Sequence, residues 1–348
     1  MRVHVVDPSS FTRPYDHALC AALAAEGADV ELVTSRFVHG DAPAPEGYTL
    51  RESFYRRGGG RARKLLQHVP DMLAERRAAK AADVVHFQWL PLQYVDAHLL
   101  PKRPLVLTAH DVLPREPKLG QLAAQRRLYD RVDAVVAHTE HGRRRLVDEL
   151  GVPGERVHVI GHGVLDGLAG IDGVLPPELA DTDPGRPIVL FFGLLRPYKG
   201  LDVLLEAWRA FGDEPPAELW IVGAPRMDVT ALRAASPPAV RWVPRFVSDA
   251  EAAAVFARAT VAVLPYREIE QSGVLWTAVG LGTPVILSAV GGFAELEGAL
   301  LVEPGDSVAL HAALAGAIEA PPAPVDPAPH AWDAIAREHL ALYATLVP

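Results

Sequence analysis

The chain has 348 residues, 49% of them hydrophobic and 22% charged, with a formal charge of −9 at pH 7. At roughly 150 residues per domain that length predicts two domains, each with ample apolar content for a core. The acidic balance argues against a general nucleic-acid binder, and a single cysteine, Cys20, rules out an intramolecular disulfide or a cysteine zinc cluster.

In chain order, "RVHVV" (2–6) reads as a strand closed by proline rather than as a leader. A helical apolar spacing follows over 15–27 and stops at glycine. Short runs rich in valine and isoleucine recur at 29–34, 83–87, 104–110, 133–139 and 157–161, mostly separated by helical stretches such as "TEHGRRRLVDELG" (139–151). Between them "YRRGGGRARKLLQ" (55–67) is a basic run with a triple glycine. It reads as a solvated loop, or as a docking patch for an anionic acceptor or a membrane surface. No apolar run approaches the ~20 residues of a bilayer span, so the expectation is a cytoplasmic protein whose one candidate membrane contact is 55–67.

The alternation breaks over 163–187, dense in Gly, Pro and Asp, and restarts with strands at 187–193, 218–223, 240–244, 261–265 and 284–289. A proline-rich spacer (320–329) and a helical tail (331–347) close the chain. Strand–helix alternation predicts parallel sheets with helices on both faces. The fold class is therefore α/β, with two doubly wound Rossmann-like domains, 1–165 and 187–328, joined by a linker over 166–186. A final segment, 329–348, carries the last helix. Such sheets bind ligands beyond the carboxyl ends of their strands, and two of them create an interdomain cleft.

The residues just past each strand are therefore the site candidates. "FFGLLRPYKG" (191–200) places Arg196 and Lys199 after an apolar strand ending at Gly193. The bland reading is a solvated turn; the sharper one is a phosphate site, since Arg forks onto two oxygens and Lys acts as a point charge. Lys199 is one of only five lysines, against 29 arginines. Downstream, "EQSG" (270–273) leads into a helix whose start at Ser272–Gly273 offers amides and a positive dipole end to an anion. A third glycine pair lies in "VGGF" (290–293). His110 and Asp111 follow a first-domain strand and read as an acid–base pair or as a satisfied helix cap. His86 occupies a comparable strand end. Ser9, Ser10 and Arg13 lie in the first loop.

Gly193–Gly200 and Pro265–Gly292 resemble, without gaps, the retaining glycosyltransferase family 4 of GT-B fold. Weaker likeness extends over 105–111, 133–139, 159–164, 219–223 and the tail. The resemblance implies that the first domain is the acceptor side and the second binds a nucleotide sugar. It implies that Lys199 and Arg196 hold the donor diphosphate and that His110 contacts the donor sugar. Backbone around Arg245, Phe246 and Val247 would hold the base, and the last helix would cross back to the first domain. The family's usual glutamate pair falls on Ile269 and Thr277, which places this chain with a variant subgroup carrying QSG in place of the usual EGFG. Glu270 is then expected at the sugar, backbone over Ser272, Gly273 and Val274 at the phosphate, and Thr277 at the ribose. Ser9, Ser10, Arg13 and His86 are expected on the acceptor side.

The implied function is a retaining, metal-independent transfer of a sugar from a nucleotide-diphosphate donor to a hydroxyl acceptor. No cofactor is expected beyond the nucleotide sugar as co-substrate, and no metal, because no "DxD" pair sits at a loop. The alternatives are a catalytically silent nucleotide-sugar-binding protein and a nucleotide-sugar epimerase on the same fold.

Overall fold

The computed structural model describes residues 1–38, 44–113 and 118–347. It forms two compact units, Met1–Gly163 with Pro329–Pro348, and Val164–Ala328.

In the first unit, strands β1 (Arg2–Asp7), β2 (Asp29–Ser35), β3 (Thr49–Phe54), β4 (Val84–Phe87), β5 (Leu105–Thr108), β6 (Ala134–Ala137) and β7 (Val157–Val159) make one sheet. Its order is β3-β2-β1-β4-β5-β6-β7 and every pairing is parallel. Helices α1 (Arg13–Ala25), α2 (Arg61–Ala78), α3 (Gln93–Leu99), α4 (Gln121–Tyr129) and α5 (Glu140–Asp148) provide the crossovers. Strands β4, β5 and β6 are buried along their whole length, which is why they read as unbroken apolar runs rather than alternating ones.

The second unit repeats the plan. Strands β8 (Ile188–Phe192), β9 (Glu218–Val222), β10 (Val240–Val243), β11 (Val261–Leu264), β12 (Val285–Ser288) and β13 (Leu300–Val302) are ordered β10-β9-β8-β11-β12-β13, all parallel. Its helices are α6 (Leu201–Arg209), α7 (Thr230–Ala234), α8 (Asp249–Arg258), α9 (Gly273–Gly280) and α10 (Ser307–Glu319). The glycine- and proline-rich segment after residue 163 packs on this unit. Leu179 is fully buried there, and Val164, Leu165, Leu168 and Leu175 cover its core.

The last helix, α11 (Trp332–Leu346), belongs to the first unit and lies along α1, burying Ile335, Ala336, Leu342 and Tyr343. At roughly 1.5–3 kcal/mol per large apolar side chain, this contact is a main support of the unit.

Two elements depart from the sequence reading. The basic run is a loop only to Gly60; from Arg61 it is helix α2, with Leu65 and Leu66 exposed beside Arg61, Arg63 and Lys64. Strand β3 is an edge strand of mostly polar residues, anchored by Arg51, which donates to Glu31 and Glu75 at 2.8 Å each.

In both sheets the strand order reverses beside the first strand, between β1 and β4 and between β8 and β11. Ligand crevices of such sheets open at that reversal.

Candidate active site

In the second unit, β8 runs into Gly193 at φ +101°, a left-handed backbone that disfavours side chains. A Cβ there would lie 2.9 Å from both Lys199 Nζ and Val274 Cγ2. The bare Cα of Gly193 is thus where the lysine tip meets the first turn of α9. Lys199 ends a short 3₁₀ turn and is buried, its ammonium 5.0 Å from the centre of the Tyr266 ring. That ring face is a favourable seat for a cation. Gly200 follows at φ +68°, with the position of a Cβ only 1.9 Å from the Pro265 carbonyl. The turns after β8 and β11 therefore touch backbone to backbone. Arg267 ties them further: its amide and guanidinium donate to the Tyr198 and Pro197 carbonyls at 2.8 and 3.0 Å, and it pairs with Asp202 at 2.6 Å. Arg196, on the same turn, is exposed.

Helix α9 begins after Ser272, which is buried and makes no side-chain cap. The opening amides of a helix have no intrahelical partner, so this start is an anion-receptive end. Glu270 is buried two residues before it. Ile269 is buried in the unit's apolar core, which explains an isoleucine where the resembling family carries glutamate. Thr277, expected at a ribose, donates its hydroxyl to the Gly273 carbonyl at 2.9 Å. The correction is that its proton is committed within the helix, and only the oxygen's lone pairs remain for a ligand.

Past β10, Arg245 is clamped by Glu178 at 2.9 Å and Glu251 at 2.6 Å. The Arg245 guanidinium holds the Glu251 carboxyl down to about 2. Phe246 is exposed, Val247 is buried, and Ser248 caps α8 in a reciprocal box with Glu251.

In the first unit the loop after β1 is organised by Asp7, whose buried carboxylate accepts the amides of Ser9, Phe11 and Thr12 at 3.0, 2.6 and 3.2 Å. Burial and the neighbouring Asp7 push the Asp16 carboxyl well above its ordinary range. Of the residues expected on the acceptor side, only Ser9 is exposed. Ser10 is buried at φ +54°, and Arg13, in the first turn of α1, is 1% exposed. His86 is likewise fully buried, bonded to Tyr343 and Thr108 at 2.7 Å each. Arg13 and His86 are corrected to interior residues, because the helix start and the sheet centre place them beneath the surface.

His110 departs from expectation most sharply. It is 2% exposed, and both ring nitrogens are engaged, at 3.3 Å from His138 Nε2 and 3.0 Å from the Gln88 amide. Ile160's carbonyl can only accept, so His138 Nδ1, 3.0 Å away, carries the proton and its Nε2 is bare. The Gln88 side-chain oxygen can only accept, so His110 Nε2 donates to it. The Gln88 NH₂ faces His86 Nε2, 3.3 Å distant. Burial lowers His138 to about 4 and holds His110 well below the ordinary imidazole range. His110 is thus an interior link whose ring also lines a cavity.

That cavity, about 220 Å³, lies between β4, β5, α3 and α4. Gln88, Gln93, Gln121, Gln125, Trp89 and Asp111 are among its walls. Sequence reading singled out Asp111 but passed over the four glutamines. The signals were a glutamine two residues after His86 on the same strand face, and two glutamines four apart on one helix face.

Comparison with known proteins gives the family. Residues 15–165 match the model "Glycosyltransferase Family 4", and residues 186–320 match "Glycosyl transferases group 1". Each unit thus matches a glycosyltransferase domain model. A GDP-mannose:glycolipid 4-beta-D-mannosyltransferase of Xanthomonas campestris pv. campestris is 36% identical over 113 residues, 31% of this chain and 32% of that protein. A D-inositol 3-phosphate glycosyltransferase of Geodermatophilus obscurus is 28% identical over 214 residues, 54% of this chain and 47% of that protein. The chain thus aligns with about a third to a half of the length of these curated relatives.

Among solved structures, sucrose-phosphate synthase from Thermosynechococcus elongatus superposes with a TM-score of 0.75 at 21% identity, covering 99% of both chains. Anabaena Alr3699/HepE in complex with UDP gives 0.70 at 17% identity, over 99% of this chain and 100% of that one. These likenesses establish the GT-B fold.

Proposed function

We propose that this glycosyltransferase moves a sugar, with retention and without a bound metal, from a nucleotide diphosphate on the second unit to a hydroxyl acceptor on the first. One observation carries the reading: Lys199 Nζ and the first turn of α9 converge on Gly193, where no side chain intervenes. Cleaving a sugar–nucleotide bond leaves negative charge on the departing diphosphate. A buried ammonium and the opening amides of α9 stabilise that charge as it develops, with little reorganisation. Arg196 adds a mobile fork from the exposed side of the same turn. Glu270 faces the donor sugar, and the backbone of 245–247 receives the base. The relatives' printed donors, GDP-mannose for one and UDP in the HepE complex, support a nucleotide-diphosphate sugar.

The test is Lys199→Ala. Turnover of nucleotide sugar is expected to fall at least ~100-fold, equivalent to about 2.7 kcal/mol of transition-state stabilisation. Rates within a few-fold of the parent would remove the phosphate assignment.

The same reading includes peripheral membrane contact at the start of α2, where Leu65, Leu66 and Val69 are exposed beside Arg61, Arg63 and Lys64. Anionic phosphatidylglycerol vesicles are expected to sediment the protein and neutral phosphatidylcholine vesicles to leave it in solution. Equal behaviour with both, or retention of binding by Arg61→Glu/Lys64→Glu, would refute the contact.

A further inference from the structure

The cavity beside His110 has a chemistry of its own. Its polar walls are mostly carboxamides: Gln88, Gln93, Gln121 and Gln125. Among the described residues it presents no lysine or arginine, and its one charged side chain is the carboxylate of Asp111 at the exposed rim.

Gln125 is 7% exposed, and its Oε1 is buried with no hydrogen-bond partner among the described residues. An amide oxygen left bare in the interior costs about 1–3 kcal/mol, so a group that donates to it is worth that much to the protein. Gln121 donates to Gln93 Oε1 at 3.4 Å, which leaves the Gln93 NH₂ as a further donor. The Trp89 indole is fixed beside them by its hydrogen bond to Thr12 Oγ1 at 3.1 Å and by a 5.4 Å stack on His110.

We infer that this cavity binds an uncharged, hydroxyl-rich ring, the neutral saccharide end of the acceptor, and excludes phosphorylated sugars. The inference rests on the glycosyltransferase reading for the ligand's role as acceptor. Amides both donate and accept, so they match hydroxyls, which do the same. A phosphate entering the cavity would lose its hydration and find no cation among the described lining residues. Exclusion therefore comes from an unpaired charge as much as from attraction of the right ligand. At about 30 Å³ per water the cavity equals roughly seven waters, room for one sugar ring.

The experiment is equilibrium binding to the full chain, read by tryptophan fluorescence and calorimetry. The probes are methyl glycosides of glucose, mannose and galactose, and the 6-phosphates of the same sugars. Titrations with UDP and GDP run in parallel. At least one neutral glycoside is expected to bind at least tenfold more tightly than its 6-phosphate counterpart. Gln125→Leu is expected to weaken that binding at least tenfold, with nucleotide affinity unchanged. Should Gln125→Leu fail to fold, Gln93→Ala, on a half-buried helix face, is expected to weaken the glycoside at least threefold. The inference is overturned if no neutral glycoside binds, if a 6-phosphate binds more tightly than its neutral parent, or if the folded variants bind like the parent. Nucleotide binding without any glycoside sinks this inference alone. Absence of nucleotide binding sinks the donor reading.

Discussion

Gly193 is the residue on which the donor reading turns, and it separates two kinds of damage. In Gly193→Ala the new methyl would press on Lys199 Nζ and Val274 Cγ2, and its φ of +101° would be strained. The lysine tip can move away, so the fold should survive at a cost of about 1–2 kcal/mol, while the cation leaves its seat. Thermal unfolding should therefore shift by only a few degrees while turnover falls by more than tenfold. An equal-sized shift in both would show Gly193 to be structural only. That Lys199, Arg196 and Gly193 share the turn after β8 was legible in sequence, because an apolar strand ends there in glycine. The surroundings of His110 were not legible. A histidine at a strand end announces a site, but nothing in "AHD" shows that His138 and Gln88, 28 and 22 residues away, occupy both of its nitrogens.

The turn from Gly200 into α6 shows how an element can depend on a distant backbone. In Gly200→Ala the Cβ would overlap the Pro265 carbonyl at 1.9 Å, and that oxygen belongs to the main chain at the end of β11. Unlike the lysine tip it cannot swing aside. The variant should lose at least about 2 kcal/mol of second-unit stability, seen as a lower urea midpoint; an unchanged midpoint would contradict the packing. The parallel sheets were readable because buried strands write themselves as runs of valine, leucine and isoleucine. β3 and β13 escaped as partly exposed edge strands, β3 because its residues are mixed and β13 because it is only three residues long. Helix α2 escaped because its polar face and leading glycines resemble a loop. The amide cavity was invisible because glutamines carry no strong local signal until β4, α3 and α4 gather them.

At the scale of the molecule, the two units differ in how they should respond to acid. His86, His110, His138, His162 and His339 all lie in the first unit, and burial lowers the pKa of each. In the unfolded chain they titrate near 6.5, so below that pH the unfolded state takes up more protons than the folded one. Their contribution is fully present above pH 6.5 and is lost as pH falls toward about 4, the value for His138 and His339. For one such histidine the loss is about 3 kcal/mol. Asp7 and Asp16, raised by burial, act in the opposite sense, two groups against five. Urea melts should show the first unit weakening steeply between pH 7 and 5 while the second changes little; parallel weakening of both would count against the histidine cluster as the cause.

Helix α11 has a temporal consequence. Its residues follow all of Val164–Ala328 in the chain, yet Tyr343 bonds His86 and the helix covers α1. During synthesis the unit Val164–Ala328 can therefore finish first. The earlier-made half must wait, its α1 face bare, until the last stretch leaves the ribosome. A chain ending at Ala328 should accordingly keep a cooperative melt for Val164–Ala328 and bind a hydrophobic dye through the remainder.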